Sequence, residues 1–108
     1  ETGVTNKAMD GSICDAILTP TPGELTFEIL EKYAAPGLVA SDEQVLEAMS
    51  VLFLYHNLVA EPGGAISLAA ALNQYEKIDS DVLIIVCTGG NVDPFIFSKA
   101  LDLIDAKY

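Results

Sequence analysis

The apolar run from Val82 to Cys87 constrains the fold more than any other feature of this chain. Six consecutive apolar residues leave no polar face, and this pattern is typical of a parallel strand that helices cover on both sides. A glycine turn follows at residues 88–91, and Asp93-Pro94 then predicts the start of a helix that runs to about Ala106. The pattern therefore predicts a strand, a loop and a helix in succession.

The rest of the chain predicts further helices and one more short strand. Helices are predicted over Glu24–Tyr33, from a Ser41 capping box to about Asn57, and from Glu61 onward, with a strand at Leu38–Ala40. This alternation indicates the α/β class, with a partial parallel sheet and flanking helices. Two strands do not form a self-sufficient parallel sheet, so we expect the chain to complete a sheet begun elsewhere.

The helix after Ser41 should contribute to the core. Val45, Met49, Leu52 and Phe53 fall on one helical face, which predicts a buried stripe. The acidic residues of this helix are expected to lie on a solvated face: Asp42, Glu43 and Glu47.

The net charge argues against two classes of partner. The 108 residues carry a net charge of −11, and the five basic residues are all lysines. Binding of phosphate groups needs cationic side chains, so neither nucleic acid nor an anionic membrane surface is an expected partner. The longest aliphatic run is far shorter than the roughly 20 residues of a membrane span. No signal peptide and no Met open the chain, so we expect it to begin inside a longer, cytoplasmic protein.

The cysteines and the histidine do not predict a metal site or a nucleophile. Cys14 and Cys87 are isolated in sequence, which favours two reduced thiols in a cytosolic protein, with a disulfide as the alternative. His56 lies at the end of a predicted helix, where a cation interacts well with the helix dipole, and no Ser or Cys partner stands beside it.

Three other polar features each have two interpretations. The loop Thr88–Asn91 is either an ordinary turn or a ligand site, because ligands lie beyond the carboxyl ends of parallel strands. Glu61 is either an acid that the helix dipole favours or a carboxylate that faces the edge of a cofactor. Asp15 is either a turn-forming residue or a functional acid.

Four segments together resemble the fold-type II pyridoxal-phosphate enzymes, in the serine/threonine dehydratase and serine racemase group. They are Ser12–Ala16, Thr21–Phe27, Glu61–Ala65 and Thr88–Asp93, and their order and spacing also match. The most specific part is the pairing of Glu-Pro-(Ala/Gly)-Gly-Ala with (Ser/Thr/Cys)-Gly-Gly-Asn. The resemblance covers about residues 11 to 106, and it implies a tryptophan synthase β-like fold with pyridoxal 5′-phosphate as the cofactor.

The resemblance also implies roles for four residues of this chain. The Thr88 hydroxyl would form a hydrogen bond with the pyridine nitrogen of the cofactor. Glu61 and Gly89 would lie near the cofactor ring. Ala16, at a position where family members often have glycine, would lie beside the 3-hydroxyl edge.

Two family motifs are absent from the chain: the lysine motif Ser-(Phe/Tyr)-Lys-x-Arg-Gly and the tetraglycine loop that holds the phosphate. Residues 1–108 are therefore interpreted as the C-terminal portion of a single catalytic domain. We expect no catalytic residue and no metal ligand in this chain, and no activity without the N-terminal remainder of the enzyme.

For the parent protein, the resemblance implies a cytoplasmic, dimeric dehydratase (ammonia-lyase) that converts L-threonine or L-serine to a 2-oxo acid and ammonia. Two other classes stay open. One is a related enzyme, such as a serine racemase or a hydroxyaspartate dehydratase. The other is a non-catalytic binding or structural half-domain.

Overall fold

The computed structural model describes residues 11–107, and the side chains through residue 104. Four α-helices and two short 3₁₀ turns follow one another along the chain. In chain order they are a 3₁₀ turn at Asp15–Ile17, α1 at Glu24–Tyr33, α2 at Asp42–His56, α3 at Pro62–Asn73, a 3₁₀ turn at Tyr75–Lys77, and α4 at Pro94–Lys107. All four predicted helices are confirmed, whereas the sequence does not predict the 3₁₀ turns.

Local capping explains where α2 begins and ends. The Ser41 hydroxyl accepts a hydrogen bond from the Gln44 N–H at 3.3 Å, and Gln44 Oε1 accepts one from the Ser41 N–H at 2.9 Å. This reciprocal pair is the predicted capping box, and it satisfies two N–H groups that the first turn leaves unbonded. At the other end Asn57 adopts a left-handed conformation, with φ at 55°, which terminates the helix.

The core lies where α2 packs against α3 and α4. Its fully buried residues come from all three helices: Val45, Ala48, Met49, Ala65, Ala69 and Ala100. The buried residues of α3 in this core are small, and the largest fully buried side chains among the described residues are Met49 and Val45 of α2.

The predicted stripe of α2 is confirmed at three of its four positions. Val45, Met49 and Leu52 are buried, whereas Phe53 remains 37% exposed and packs edge-on against Phe97, with ring centroids 5.5 Å apart. Phe53 therefore lies at the rim of the core, where an edge-to-face aromatic contact adds to apolar burial.

The two predicted strands do not form in residues 11–107, and the expected partial parallel sheet is absent from that range. A strand exists only through hydrogen bonds to a neighbouring strand, and no other segment in this range pairs with residues 38–40 or 82–87. Side chains of α3 and of the residue that follows it contact both segments instead. Ser67 donates a hydrogen bond to the Val86 carbonyl at 2.8 Å, and the Gln74 amide donates one to the Val39 carbonyl.

Helix α1 forms as predicted but contributes little to the core. Its apolar residues recur at helical spacing, yet Leu25 is 79% exposed and Ile29 is 60% exposed. Within the part of the chain that the structure describes, α1 packs against none of the other helices. None of the helices between residues 11 and 107 combines the length and the apolar character needed to cross a bilayer.

Candidate cofactor site

The candidate site surrounds the first turn of α3. Pro62 is the first residue of this helix, and Glu61 precedes it in an extended conformation. Proline suits this position because its backbone nitrogen has no hydrogen to leave unbonded. Two other segments meet this turn, the loop that begins at Thr88 and the 3₁₀ turn at Asp15–Ile17, and the first of these contacts depends on a glycine.

Gly64 allows the Thr88 loop to lie directly on the backbone of α3. A Cβ atom at Gly64 would overlap the Thr88 carbonyl oxygen and would lie 2.6 Å from the Thr88 carbonyl carbon. No side chain fits in that space without moving the loop. Thr88 itself is exposed, so it lies outside the core.

Glu61 contacts the same loop through both its backbone and its side chain. The Glu61 N–H donates a hydrogen bond to the Gly89 carbonyl at 3.0 Å. Gly89 has φ at 68°, in the left-handed region that glycine tolerates best. A Cβ atom at Gly89 would lie 2.7 Å from one Glu61 carboxylate oxygen and closer still to the other, so the carboxylate covers the open side of this glycine.

Ala16 approaches α3 from the other side. A Cβ atom at Gly63 would lie 3.8 Å from the Ala16 Cβ and 3.4 Å from the Ile17 Cγ2, which are ordinary contact distances. Ala16 is exposed and adjoins the helix start. The structure therefore brings Ala16, Glu61, Thr88 and Gly89 together around one turn of α3.

A small cavity of about 110 Å³ adjoins this turn, between residues 13–15, the start of α3 and residues 91–96, and of the four candidate residues only Glu61 lines it. Its lining includes three carboxylates, those of Asp15, Glu61 and Asp93. Asp93 also caps α4, because its Oδ1 accepts hydrogen bonds from the N–H groups of Phe95 at 2.8 Å and Ile96 at 3.3 Å. This confirms the predicted cap, and it accounts for the acid beside the glycine loop.

Cys14 and Cys87 are free thiols in different environments, as the sequence predicts for reduced cysteines. Cys14 is buried and Cys87 is exposed. Burial raises the pKa of the Cys14 thiol above its ordinary value of 9.0, a hydrogen bond with Ser12 lowers it, and the charges of Asp42 and Asp15 raise it further. The Cys14 thiol therefore stays protonated at neutral pH.

Near the site, the surroundings of Asp42 differ from those that the sequence predicts. Its position predicts a solvated helix face, but its carboxylate accepts hydrogen bonds from the Ser12 hydroxyl at 2.7 Å and from the Ile13 N–H at 3.2 Å. These partners are about 30 positions away in sequence, so no local pattern could have predicted the contact.

The family of the chain follows from a comparison with known proteins. The model of the family described as "Pyridoxal-phosphate dependent enzyme" matches residues 2–89. The chain belongs to this family. The predicted resemblance to the fold-type II enzymes is thereby confirmed, and the family's cofactor is pyridoxal phosphate.

Two curated relatives and one solved structure illustrate the similarity. The chain is 34% identical over 91 residues to an L-threonine ammonia-lyase of Thermotoga maritima. The aligned region covers 84% of this chain and 22% of that protein. The chain is 33% identical over 93 residues to a serine racemase of Dictyostelium discoideum, with coverage of 84% and 28%. The crystal structure of a threonine deaminase from T.th. superimposes with a TM-score of 0.75 at 34% identity, over 83% of this chain and 32% of that chain. The chain thus spans about a quarter of the length of these curated relatives.

The residues around the first turn of α3 fit the cofactor of the family. Gly64 and Gly89 leave out the Cβ atoms that would push the Thr88 loop away from the helix. Thr88 is exposed, and its hydroxyl can donate a hydrogen bond to a ring nitrogen without carrying a charge.

Proposed function

We propose that this chain forms one wall of the cofactor site in a pyridoxal-phosphate-dependent dehydratase that converts L-threonine or L-serine to a 2-oxo acid and ammonia. The observation that carries the proposal is the convergence of Ala16, Glu61, Thr88 and Gly89 on the first turn of α3. These are the four residues that the family resemblance associates with the cofactor, and they come from three separate segments of the chain.

Each residue has a distinct role in this proposal. Thr88 donates a hydrogen bond from its hydroxyl to the pyridine nitrogen. Glu61 and Gly89 hold the Thr88 loop in place beside the ring, through the 3.0 Å backbone hydrogen bond and the covering carboxylate. Ala16 lies at the 3-hydroxyl edge. When bound, the cofactor supplies the electron sink that stabilises negative charge at the substrate α-carbon.

A hydroxyl partner determines the charge of the cofactor ring. Thr88 forms a hydrogen bond without transferring a proton, so the pyridine nitrogen stays largely unprotonated. A carboxylate at this position would favour the protonated ring. With Thr88 as the partner, a bound ring would stay neutral and would withdraw electrons less strongly than a protonated ring, which would favour loss of the β-hydroxyl.

The remaining parts of the site lie outside this chain in our proposal. None of its five lysines belongs to the family's lysine motif. The lysine, the phosphate-binding loop and much of the substrate carboxylate site are therefore assigned to an N-terminal remainder of the same enzyme. A dimer of such enzymes is part of the same proposal, by analogy with the family.

The test uses the protein that carries this chain at its full length. Purified protein is incubated with pyridoxal 5′-phosphate and with L-threonine or L-serine, and 2-oxo acid and ammonia are quantified. We expect both products in equal amounts. If the protein binds the cofactor saturably but forms neither product, the dehydratase assignment is wrong. If it does not bind the cofactor at all, the non-catalytic half-domain is the better explanation.

Serine racemase is the second candidate, because the two relatives above are almost equally similar, at 34% and 33% identity. The two activities differ in their products. Chiral chromatography of the L-serine reaction separates D-serine from L-serine, so D-serine without ammonia favours the racemase. Activity towards L-threo-3-hydroxyaspartate in the same assay separates out the hydroxyaspartate dehydratase alternative.

A further inference from the structure

A pair of hydrogen bonds connects the start of α2 to the segment that leads to Ala16. Asp42 uses both carboxylate oxygens: Oδ1 accepts from the Ser12 hydroxyl at 2.7 Å, and Oδ2 accepts from the Ile13 N–H at 3.2 Å. The Ser12 oxygen in turn accepts a hydrogen bond from the Cys14 N–H at 3.1 Å. We call this arrangement of Ser12, Ile13, Cys14 and Asp42 the Asp42 clip.

The anchor of the clip is the start of a helix that packs in the core. Asp42 is the first residue of α2, immediately after the Ser41 cap, where the helix dipole favours a negative charge. One turn further along, Val45 is buried in the core and fixes the helix. Hydrogen bonds to an ionised carboxylate are stronger than those between neutral groups, and both oxygens of Asp42 accept one.

The clip holds one side of the Ala16 turn, and α3 holds the other. Cys14 follows the clip directly and is only 2% exposed, so the chain is pinned there. Ala16 and Ile17 come next and lie against Gly63 at the start of α3. Between these two attachments only Asp15 separates the buried thiol from Ala16.

We propose that Asp42 is a positioning residue for the cofactor site: through Ser12 and Ile13 it fixes how far Ala16 stands from the Thr88 side of the site. This inference rests on the proposed function. Asp42 does not touch the cofactor in this proposal. Asp42 ties the Ala16 turn to the core helix α2, so the turn keeps a fixed position at the edge of the site. In that position the turn leaves the 3-hydroxyl side of the cofactor ring accessible.

The first test measures the clip without any cofactor. The experiment uses the full-length protein that carries this chain, with Cys87 and any cysteine outside residues 1–108 replaced by serine, so that the reaction of Cys14 with 5,5′-dithiobis(2-nitrobenzoate) reports opening of the turn. Breaking the hydrogen bonds in Ser12→Ala or Asp42→Ala should accelerate this reaction about tenfold or more. Ser12→Thr, which keeps the hydroxyl, should restore the slow rate.

Ser12→Ala is the sharper of the two variants. Loss of the Ser12 hydrogen bond raises the pKa of the Cys14 thiol, which alone would slow the reaction. Acceleration in this variant therefore reports exposure of the thiol and not its ionisation. Glu43→Ala is the matched control, because Glu43 is an acid next to Asp42 in the same helical turn, and its rate should stay within about twofold of the parent.

The second test adds pyridoxal 5′-phosphate to the protein that carries the chain. We expect Ser12→Ala and Asp42→Ala to weaken cofactor binding about tenfold, and to shift the pH at which the bound cofactor changes its absorbance. Glu43→Ala should change neither quantity. Circular dichroism confirms that α2 is retained in each variant.

The outcomes separate this inference from the proposed function. Unchanged thiol rates in Ser12→Ala and Asp42→Ala overturn the clip, whether or not the cofactor binds. Faster thiol reaction with unchanged cofactor affinity and absorbance reduces Asp42 to a purely structural residue. Absence of saturable cofactor binding in the parent protein refutes the proposed function and the positioning role together, while the thiol rates still decide whether the clip exists.

Discussion

Gly63 and Gly64 are neighbours in sequence but have different surroundings at the start of α3. The space beside Gly64 is filled by the backbone of Thr88, whereas Gly63 faces the side chains of Ala16 and Ile17 at ordinary distances. A backbone obstacle cannot rotate away as a flexible side chain can. The two positions should therefore respond in opposite ways to the same added methyl group.

We expect Gly64→Ala to destabilise the protein by about 1–3 kcal/mol, because the Thr88 loop must shift to admit a Cβ atom. Gly63→Ala should be neutral or stabilising by up to about 1 kcal/mol, since alanine favours the helix and restricts the unfolded chain. Urea denaturation of both variants gives the two free energies of unfolding. Equal values for the two variants would contradict the close contact between Gly64 and Thr88.

Thr88 can be tested with three substitutions in the full-length protein. Thr88→Ser keeps a hydroxyl and should retain most cofactor affinity, while Thr88→Ala should lose about tenfold or somewhat less, because one hydrogen bond contributes roughly 0.5–1.5 kcal/mol. Thr88→Asp should favour the protonated ring and lower β-elimination relative to exchange of the α-proton with solvent. Cofactor dissociation and product ratios measure these effects. If all three variants match the parent, Thr88 is only a turn residue.

Burial of the Cys14 thiol should make the free energy of unfolding fall at alkaline pH. Its folded-state pKa is raised above 9.0 by burial, so the unfolded thiol ionises first as pH increases. The contribution of the thiol is fully present below about pH 9 and is lost as pH rises towards the folded-state pKa, with a slope of at most about 1.4 kcal/mol per pH unit.

Urea denaturation from about pH 8 to about pH 10.5 measures this slope. Cys14→Ala should lose less stability over that range than the parent, whatever its stability at the lower pH. Cys87→Ala is the control, because Cys87 is exposed, and its slope should match that of the parent. A Cys14→Ala slope identical to the parent slope would show that Cys14 is not buried in solution.

Residue-level motifs predict the site better than the structure around it. Short motifs single out Thr88, Gly89, Glu61 and Ala16, and the fold brings all four together around the first turn of α3, while their contacts with the cofactor stay a prediction. Asp42 is missed because its partner Ser12 is distant in sequence, and an exposed helix start looks the same whether or not another segment reaches it. Only the folded chain brings the two together.

At the level of elements, α2 illustrates how far local signals extend. Its start is encoded by Ser41 and Gln44, and both hydrogen bonds of the capping box form. Ser41→Ala should therefore cost about 1 kcal/mol of stability, within a range of roughly 0.5–2 kcal/mol. Ser41→Thr keeps the hydroxyl and should cost much less. A loss of equal size in both variants would assign the effect to packing instead of capping.

The strand predictions fail where the helix predictions succeed, for a physical reason. A helix forms its hydrogen bonds within its own segment, so caps and apolar spacing at Glu24–Tyr33 or Asp42–His56 are sufficient to locate it. A strand forms its bonds with a different segment, and residues 82–87 carry the composition of a buried strand without a pairing partner between residues 11 and 107. Their apolar composition therefore indicates that these residues need a strand to pair with.

At the scale of the whole molecule, apolar surface among the described residues remains uncovered in several places, of which the segment 82–87 and helix α1 are two. Ile84 is 87% exposed in the segment 82–87, and Leu25 is among the exposed apolar residues of α1. Soluble monomers rarely expose large contiguous apolar patches. The isolated chain should therefore self-associate or unfold with low cooperativity, and sedimentation velocity over a range of concentrations tests this. A monomer with a sharp, cooperative thermal transition would contradict the expectation.

Three lysine substitutions identify which surface drives the association. Ile84→Lys and Ile29→Lys each place a charge on one exposed apolar surface, and Thr19→Lys places the same charge where an exposed polar side chain stands. All three change the net charge from −11 by the same single unit, so differences between them reflect the surface that is altered.

Burying one isoleucine side chain is worth about 1.5–3 kcal/mol, so Ile84→Lys should raise the midpoint concentration of association at least about tenfold. An unpaired strand also offers its backbone to a second chain, which makes the effect at Ile84 larger than that at Ile29. Thr19→Lys should leave the midpoint unchanged; an equal shift in all three variants would attribute the association to net charge and not to the uncovered segment.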